Sequence, residues 1–289
     1  MSIVKDNSVK KIQSALAECE LYKSKIDGAW GGGSTTAFTT LVRGMSDSVE
    51  IQFTDVKDDN AVICDVQRVL KGIGLYQGAV DGAWGKGCVN AMDNLVNHYK
   101  RNHGLPTYDL PWSKSVSPEF INQIYVLARE HGYSYEWTQW LMSCMHFETG
   151  GTFSSTIQNG AGAKYFGLIQ FGTAAASDLG TTVEELTKLT PVEQLHWVFA
   201  YFNLWRKRGK TYTQLEDLYL TIFYPAAVGK NADTVIFLKD TVGYRQNNGF
   251  DFDKNGEITV GEICDRIYKV HFDGLLPINR RVQKGVTWN

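Results

Sequence analysis

The first hundred residues repeat themselves. Leu21-Tyr22 and Asp27-Gly28-Ala29-Trp30-Gly31 return as Leu75-Tyr76 and Asp81-Gly82-Ala83-Trp84-Gly85, so that Asp81 stands 54 residues after Asp27. The same offset carries Ile12, Gln13 and Leu16 onto Val66, Gln67 and Leu70, and Ala37 and Leu41 onto Ala91 and Leu95. Two copies in register must build the same local structure twice. Each copy reads as a helix, a glycine-punctuated turn and a second helix. Val66, Val69, Leu70 and Ile73 keep helical spacing. Asp-Gly suits a tight turn with one residue at positive φ, and the tryptophan beside it is expected to plug a small core. A solenoid needs three or more repeats, so two separate small modules are expected, 1–50 and 51–105.

The pattern Gln-x-x-Leu, Leu-Tyr, Asp-Gly-Ala-Trp-Gly, Ala resembles the three-helix peptidoglycan-binding modules of bacterial and phage cell-wall hydrolases, over about 45 residues per copy. Those modules usually read Asp-Gly-x-Phe-Gly with a threonine soon after. Here tryptophan replaces phenylalanine, and the second copy carries Cys88 in the threonine region. The resemblance makes Asp27, Trp30, Asp81 and Trp84 the candidate substrate-binding residues of the modules. Their other reading is a turn plus a core tryptophan without ligand contact.

Three of the six prolines (Pro106, Pro111, Pro118) fall in the polar stretch that follows, and 106–117 reads as a linker. Ser117 as N-cap, Pro118 and Glu119 then open a helix that carries Phe120, Ile121, Ile124, Tyr125 and Leu127 and stops at Gly132. Ser134 starts the next, with Trp137, Leu141, Met145 and Glu148 roughly on one stripe. Thr182-Val183-Glu184-Glu185 and Thr190-Pro191-Val192-Glu193 are capping-box patterns. The helix after Thr190 is dense in aromatics (Trp197, Phe199, Tyr201, Phe202, Trp205), and another runs from Thr213 to Pro225. No series of alternating strands appears, though Gly160–Phe171 has room for a short β-hairpin. The expected fold class is mainly α.

Glu148 closes the apolar helix Leu141-Met142-Ser143-Cys144-Met145-His146-Phe147-Glu148, just before Thr149-Gly150-Gly151. Apolar surroundings disfavour its charge, and so does the negative end of the helix dipole. Both raise its pKa, as a glycosidase general acid requires. His146 lies on another helix face and reads as a packing or hydrogen-bonding residue.

Glu148-Thr149-Gly150-Gly151, Phe166-Gly167-Leu168-Ile169-Gln170-Phe171, and Leu218-Tyr219-Leu220 with Phe223-Tyr224-Pro225-Ala226-Ala227 follow in that order. They resemble the three motifs of the soluble lytic transglycosylase and goose-type lysozyme group: Glu-Ser, Gly-Leu-Met-Gln and Ala-Tyr-Asn-Ala-Gly. Thr149 for serine is a mild departure; Pro225 where asparagine is common shifts the third motif by a few residues. With the N-terminal copies, nearly the whole chain resembles a modular phage endolysin, which implies a lysozyme-like α-helical domain over 118–289. It also implies cleavage of peptidoglycan between N-acetylmuramic acid and N-acetylglucosamine, by a lytic transglycosylase or a muramidase. Glu148 is then the acid, Gln170 a ligand of sugar or water, Tyr219 or, by preference, Tyr224 the hydroxyl aimed at Glu148, and Glu193 the candidate second carboxylate of a hydrolase. No cofactor is expected for the catalysis. The competing readings are a chitinase-like glycosidase, disfavoured because Phe147 separates His146 from Glu148, and a non-catalytic cell-wall-binding or virion structural protein.

Asp251-Phe252-Asp253-Lys254-Asn255-Gly256-Glu257-Ile258-Thr259-Val260-Gly261-Glu262 has the calcium-loop pattern: oxygen ligands at positions 1, 3 and 5, glycine at 6, an aliphatic residue at 8 and glutamate at 12. Asp251, Asp253, Asn255, Glu257 and Glu262 are the expected ligands of a structural calcium. The helix after the loop is good, while Asn247, Asn248 and Gly249 make a poor helix before it. The other reading is an Asx-rich surface turn.

A net charge of −2 without any Lys/Arg block argues against nucleic acid and against an electrostatic membrane anchor. The first residues show no apolar signal region, and no apolar run approaches a membrane span. Scattered histidines without ligand spacing argue against a metallo-amidase. Five widely spaced cysteines without a C-x-x-C read as free thiols in a reducing compartment. The expectation is a monomer made in the host bacterial cytoplasm that acts on the periplasmic cell wall after a separate, holin-like release.

Overall fold

The computed structural model describes residues 7–105, 109–158 and 164–282, without the side chains of Asn7, Lys86 and Arg101. The fold is mainly helical, with one short antiparallel strand pair among the described residues. The chain divides into two compact units, residues 1–108 and 109–274, with short C-terminal pieces assigned to one or the other.

The first unit holds α1 (Asn7–Glu18), α2 (Gly32–Arg43), α3 (Asp59–Gly72) and α4 (Lys86–Asn102). The expectation of two separate modules is corrected here. Helices of the two copies pack on each other, α1 against both α3 and α4. Val9, Ile12, Phe38 and Leu41 share one apolar core with Val62, Val66, Leu70 and Leu95. Lys100 and Glu18, largely buried, form an ion pair across the copies at 2.7 Å. A copy of about fifty residues buries too little apolar surface to stand alone easily; sharing the core doubles it.

Within each copy the repeat has a single physical cause. Gln13 is fully buried, and its Nε2 lies 3.0 Å from the Ala29 carbonyl and 3.0 Å from the Tyr22 hydroxyl, while its Oε1 accepts from the Gly28 amide at 2.9 Å. Gln67 repeats this against Ala83, Tyr76 and Gly82. Gly28 (φ 83) and Gly82 (φ 73) occupy the left-handed region that the Asp-Gly turn needs. Asp27 and Asp81 accept from the amides of Ala29 and Ala83 and from Nε2 of Gln13 and Gln67, which holds both carboxyls below their usual range, the backbone bond being the larger cause.

The copies differ at the partner of the tryptophan. Trp30 is buried, packs on Phe38 and Phe53, and donates from Nε1 to Thr35 Oγ1 at 3.0 Å. Val89 stands at the position equivalent to Thr35, and the buried Trp84 Nε1 has no partner. An unsatisfied buried donor costs about 1–3 kcal/mol. Val89→Thr is therefore expected to stabilise the first unit by about 1 kcal/mol, read as a higher urea midpoint; an unchanged or lower midpoint would count against this account.

The second unit starts earlier than the linker reading placed it. Residues 106–108 lie outside the described residues, but Leu110 and Ser113 are fully buried, and Tyr125 donates to Asp109 at 2.6 Å. Its helices are α5 (Pro118–His131), α6 (Tyr135–Glu148), α7 (Thr173–Asp178), α8 (Val183–Leu186), α9 (Pro191–Lys207), α10 (Leu215–Phe223), α11 (Val242–Asn247) and α12 (Val260–Leu275). Ser117 and Ser134 cap α5 and α6 through the amides of Phe120 and Trp137, and Gly132 (φ 69) ends α5. Helix α6 is the pivot of this unit. It packs on α5 and α10, its Trp137 meets Phe199 and Phe202 of α9, and its buried Ser143 bonds His271 of α12 at 2.9 Å.

The expected hairpin at 160–171 is not found as such. Residues 159–163 lie outside the described residues, and Gln158, Phe166 and Phe171 form isolated bridges. The strand pair is instead β1 (Val235–Leu238) with β2 (Glu257–Thr259), in the register Val235↔Thr259, Phe237↔Ile258, Leu238↔Glu257. All five cysteines are free thiols, four of them buried. No described helix is long and apolar enough to cross a membrane.

Candidate functional site

Glu148 is the last residue of α6. Thr149, fully buried, donates to the Met145 carbonyl at 2.7 Å and accepts from the Phe153 amide at 3.0 Å, which turns the chain sharply after the helix. Gly150 (φ 57) and Gly151 (φ 84) complete that turn. The Glu148 side chain is half-buried, and its carboxyl has no hydrogen-bond partner among the described residues. Protein surrounds it densely enough that burial pushes its pKa up to about 8. Cys144, Tyr219 and Tyr201 all lie within reach of its charge.

Tyr219 sits on α10, buried, with Phe147 edge-on to its ring at 5.4 Å. Burial, then Glu148, push its phenol well above the ordinary value. Tyr224 is placed differently: it is 40% exposed and packs on Phe237 at 5.8 Å, with no described interaction with Glu148. Between the two tyrosines the geometry singles out Tyr219, because α10 ends at Phe223 and Tyr224 follows it in a non-helical conformation (φ −154, ψ 83) that leaves the ring on the β1 side.

Gln170 (φ 53) closes the tight turn between Phe166 and Phe171. Its Nε2 donates to the carbonyls of Gly167 (3.0 Å) and Ile157 (3.3 Å), and its Oε1 is buried without a partner among the described residues. No described contact joins it to Glu148. Glu193 is exposed and spent on a reciprocal cap, with Oε2 accepting from the Thr190 amide and hydroxyl, each at 2.8 Å; the amide bond is the main cause of its lowered pKa. The cap, made through Oε2, is a local reason for a glutamate at this position. His146 stacks on Trp112 with ring centroids 3.6 Å apart, its Nδ1 is buried without a partner, and burial holds its pKa at about 4. A cavity of about 230 Å3 lined in part by Val116, Phe120, Phe153 and Val192 includes none of the candidate catalytic residues.

No protein-family model, no curated protein and no solved structure matches the chain.

Two residues of this site carry little sequence signal. Gln194 is fully buried; its Oε1 accepts from the Leu168 amide at 2.8 Å and its Nε2 donates to Leu186 and Ser155, so it fixes the turn that carries Gln170. Its one hint is an amide among the apolar residues of α9. Tyr201 donates to the Thr221 carbonyl at 2.8 Å and stands within reach of Glu148; among five aromatics in one helix, nothing distinguishes it in sequence.

In the 251–262 loop, carboxylate oxygens of Asp251, Asp253 and Glu262 all lie within 4.8 Å of one another. Asp251 accepts from the Gly256 amide at 3.1 Å and from the Tyr244 hydroxyl, the main cause of its lowered pKa. Gly256 has φ 89, as the bend at position 6 requires. Asn255 turns its Oδ1 to the Glu257 amide at 2.7 Å. Glu262, in the first turn of α12, accepts from the amide and hydroxyl of Thr259, the last residue of β2. Glu257 lies in β2, where the calcium-loop pattern would use its backbone carbonyl at position 7.

Proposed function

We propose that the chain cleaves the glycan strand of peptidoglycan, with Glu148 as proton donor. The observation that carries this reading is a half-buried carboxyl at a helix C-terminus, without a hydrogen-bond partner among the described residues, whose pKa of about 8 keeps it protonated at neutral pH. Glu148 gives its proton to the oxygen bridging N-acetylmuramic acid and N-acetylglucosamine as the C1–O bond breaks. The same carboxylate, now ionised, takes a proton from the nucleophile that captures C1. Glu193 is engaged in its helix cap through Oε2, which favours capture of C1 by the muramoyl 6-hydroxyl and a 1,6-anhydro product over attack by a water that Glu193 would aim. The test is mass spectrometry of digested sacculi. Products lighter by one water, without reducing muramic acid ends, are expected; chito-oligomers from chitin alone, or no cleavage at all, would overturn the reading. The likeness of the N-terminal repeats to wall-binding modules supports peptidoglycan as the partner.

The loop at 251–262 has the donor set of a calcium site, hard carboxylate and amide oxygens around a glycine bend, and calcium there would hold the start of α12. Calcium at a hundred times its dissociation constant should raise stability by about 2.7 kcal/mol. Calorimetry in EDTA against calcium checks this, and Glu262→Gln should remove the difference.

A further inference from the structure

Four aromatic rings close a circuit between the candidate acid and the calcium-type loop. Phe147, the residue before Glu148, meets Tyr219 at 5.4 Å; Tyr219 stacks on Phe223 at 5.8 Å; Phe223 meets Phe250 at 5.4 Å; and Phe250 returns to Phe147 at 6.4 Å. Phe250 is the residue immediately before Asp251, the first oxygen ligand of the loop. The loop reaches the same circuit a second way: Ile258, at its position 8, pairs with Phe237 of β1, and Phe237 meets Phe223 at 6.2 Å. Phe147, Phe223, Phe237 and Phe250 are all half-buried, and Tyr219 is buried.

We infer that Phe250 is a positioning residue, through which the state of the 251–262 loop sets the aromatic wall beside Glu148. The inference rests on the reading of Glu148 as proton donor. The start of the loop is tied by the Tyr244 hydroxyl, which donates to Asp251, and by Glu262, which accepts from the Phe252 amide. A divalent cation drawn between Asp251, Asp253 and Glu262 would fix the backbone on which Phe250 sits. With Phe250 seated, Phe223 and Tyr219 are pressed toward Phe147 and water is kept from the carboxyl. With the loop loose, the wall opens and Glu148 is better solvated. The titratable groups facing Glu148 are Cys144 on its own helix, Tyr219 on α10 and Tyr201 on α9. None of them belongs to the loop, and the charge of a bound cation would by itself lower the Glu148 midpoint, so a rise on calcium binding is the signature of the rings.

The experiment uses the full chain with calcium chloride as the probe, in wild type, Phe250→Ala, Phe250→Leu and Asp251→Asn. Calorimetric titration measures calcium binding. The carboxyl carbon of Glu148, identified by its loss in Glu148→Gln, is titrated by NMR with and without calcium. Calcium is expected to raise the Glu148 midpoint by about half a pH unit or more in wild type and in Phe250→Leu. Phe250→Ala should bind calcium without that response, and Asp251→Asn should show neither. The pH profile of muropeptide release should move in parallel, with kcat of Phe250→Ala lower by about tenfold at little change in KM. No calcium binding, binding without a shift in wild type, or a shift that survives in Phe250→Ala would each overturn the inference. Should Phe250→Ala fail to fold, Phe250→Val replaces it, and a full calcium response in that variant would overturn the inference. A calcium-dependent shift in a chain that releases no muropeptides would leave the coupling standing and remove the glycan reading; cleavage without the shift would do the reverse.

Discussion

Glu148→Gln is expected to lower muropeptide release by two to four orders of magnitude, roughly the worth of a positioned general acid, while the fold is retained. Glutamine keeps the shape and removes the transferable proton. Wild-type activity should fall on the alkaline side with a midpoint near 8, where Glu148 loses its proton. The same residue makes a prediction about stability. Its folded pKa of about 8 lies above the usual value of 4.5, so the folded state binds the proton more tightly than the unfolded chain. The stability this contributes is complete below about pH 4.5 and is lost as pH rises to about 8. The slope is at most about 1.4 kcal/mol per pH unit, and less for a side chain that keeps some contact with water. Glu148→Gln lacks this slope, so the variant should overtake wild type in stability as pH rises, by chemical denaturation from acid to alkaline pH. Parallel stability curves for the two proteins would show that Glu148 is an ordinary solvated carboxylate and would remove the basis of the catalytic reading.

What could be read in the sequence were features whose cause is local. Ser117, Ser134, Thr182 and Thr190 cap helices where their patterns place caps, because a cap is made by residues three apart. Gly256 bends the 251–262 loop for the same reason. The position of Glu148 at the end of an apolar helix was legible too, since helix periodicity and a glycine stop suffice. What sequence missed depends on partners distant in the chain. The shared core of the two copies is invisible in an offset of 54 residues, because a repeat pattern says what each copy builds and not whether its apolar face meets the other copy. Strand β1 is four residues with both ends exposed, and it exists because Ile258 offers it a partner. Gln170 and Glu193 look alike as polar candidates, yet one holds an unpartnered buried oxygen and the other is consumed by a cap. Tyr219 and Tyr224 lie five residues apart, and only the end of α10 between them decides which ring turns toward Glu148.

Gln67→Leu should destabilise the first unit by about 3 kcal/mol and unfold both copies together. The side chain it removes is fully buried and satisfies the amides of Asp81 and Gly82 and the carbonyl of Ala83. Each buried backbone group left without a partner costs about 1–3 kcal/mol, and leucine of similar size offsets part of that through apolar contact. The loss does not stay in the second copy. Val66 and Leu70, which flank Gln67 on α3, belong to the same core as Ile12 and Leu16 of α1, and Lys100 reaches back to Glu18. A turn that loosens at Asp81 releases α3 from α4, and with them half the apolar surface on which α1 and α2 depend. Hydrogen exchange should therefore show α1 and α3 losing protection by the same factor, and urea unfolding should remain a single transition at a lower midpoint. Protection lost in α3 and kept in α1 would mean that the copies are independent modules after all. The mirror variant Gln13→Leu adds a second test, since a shared core requires that it lower the protection of α3 as well.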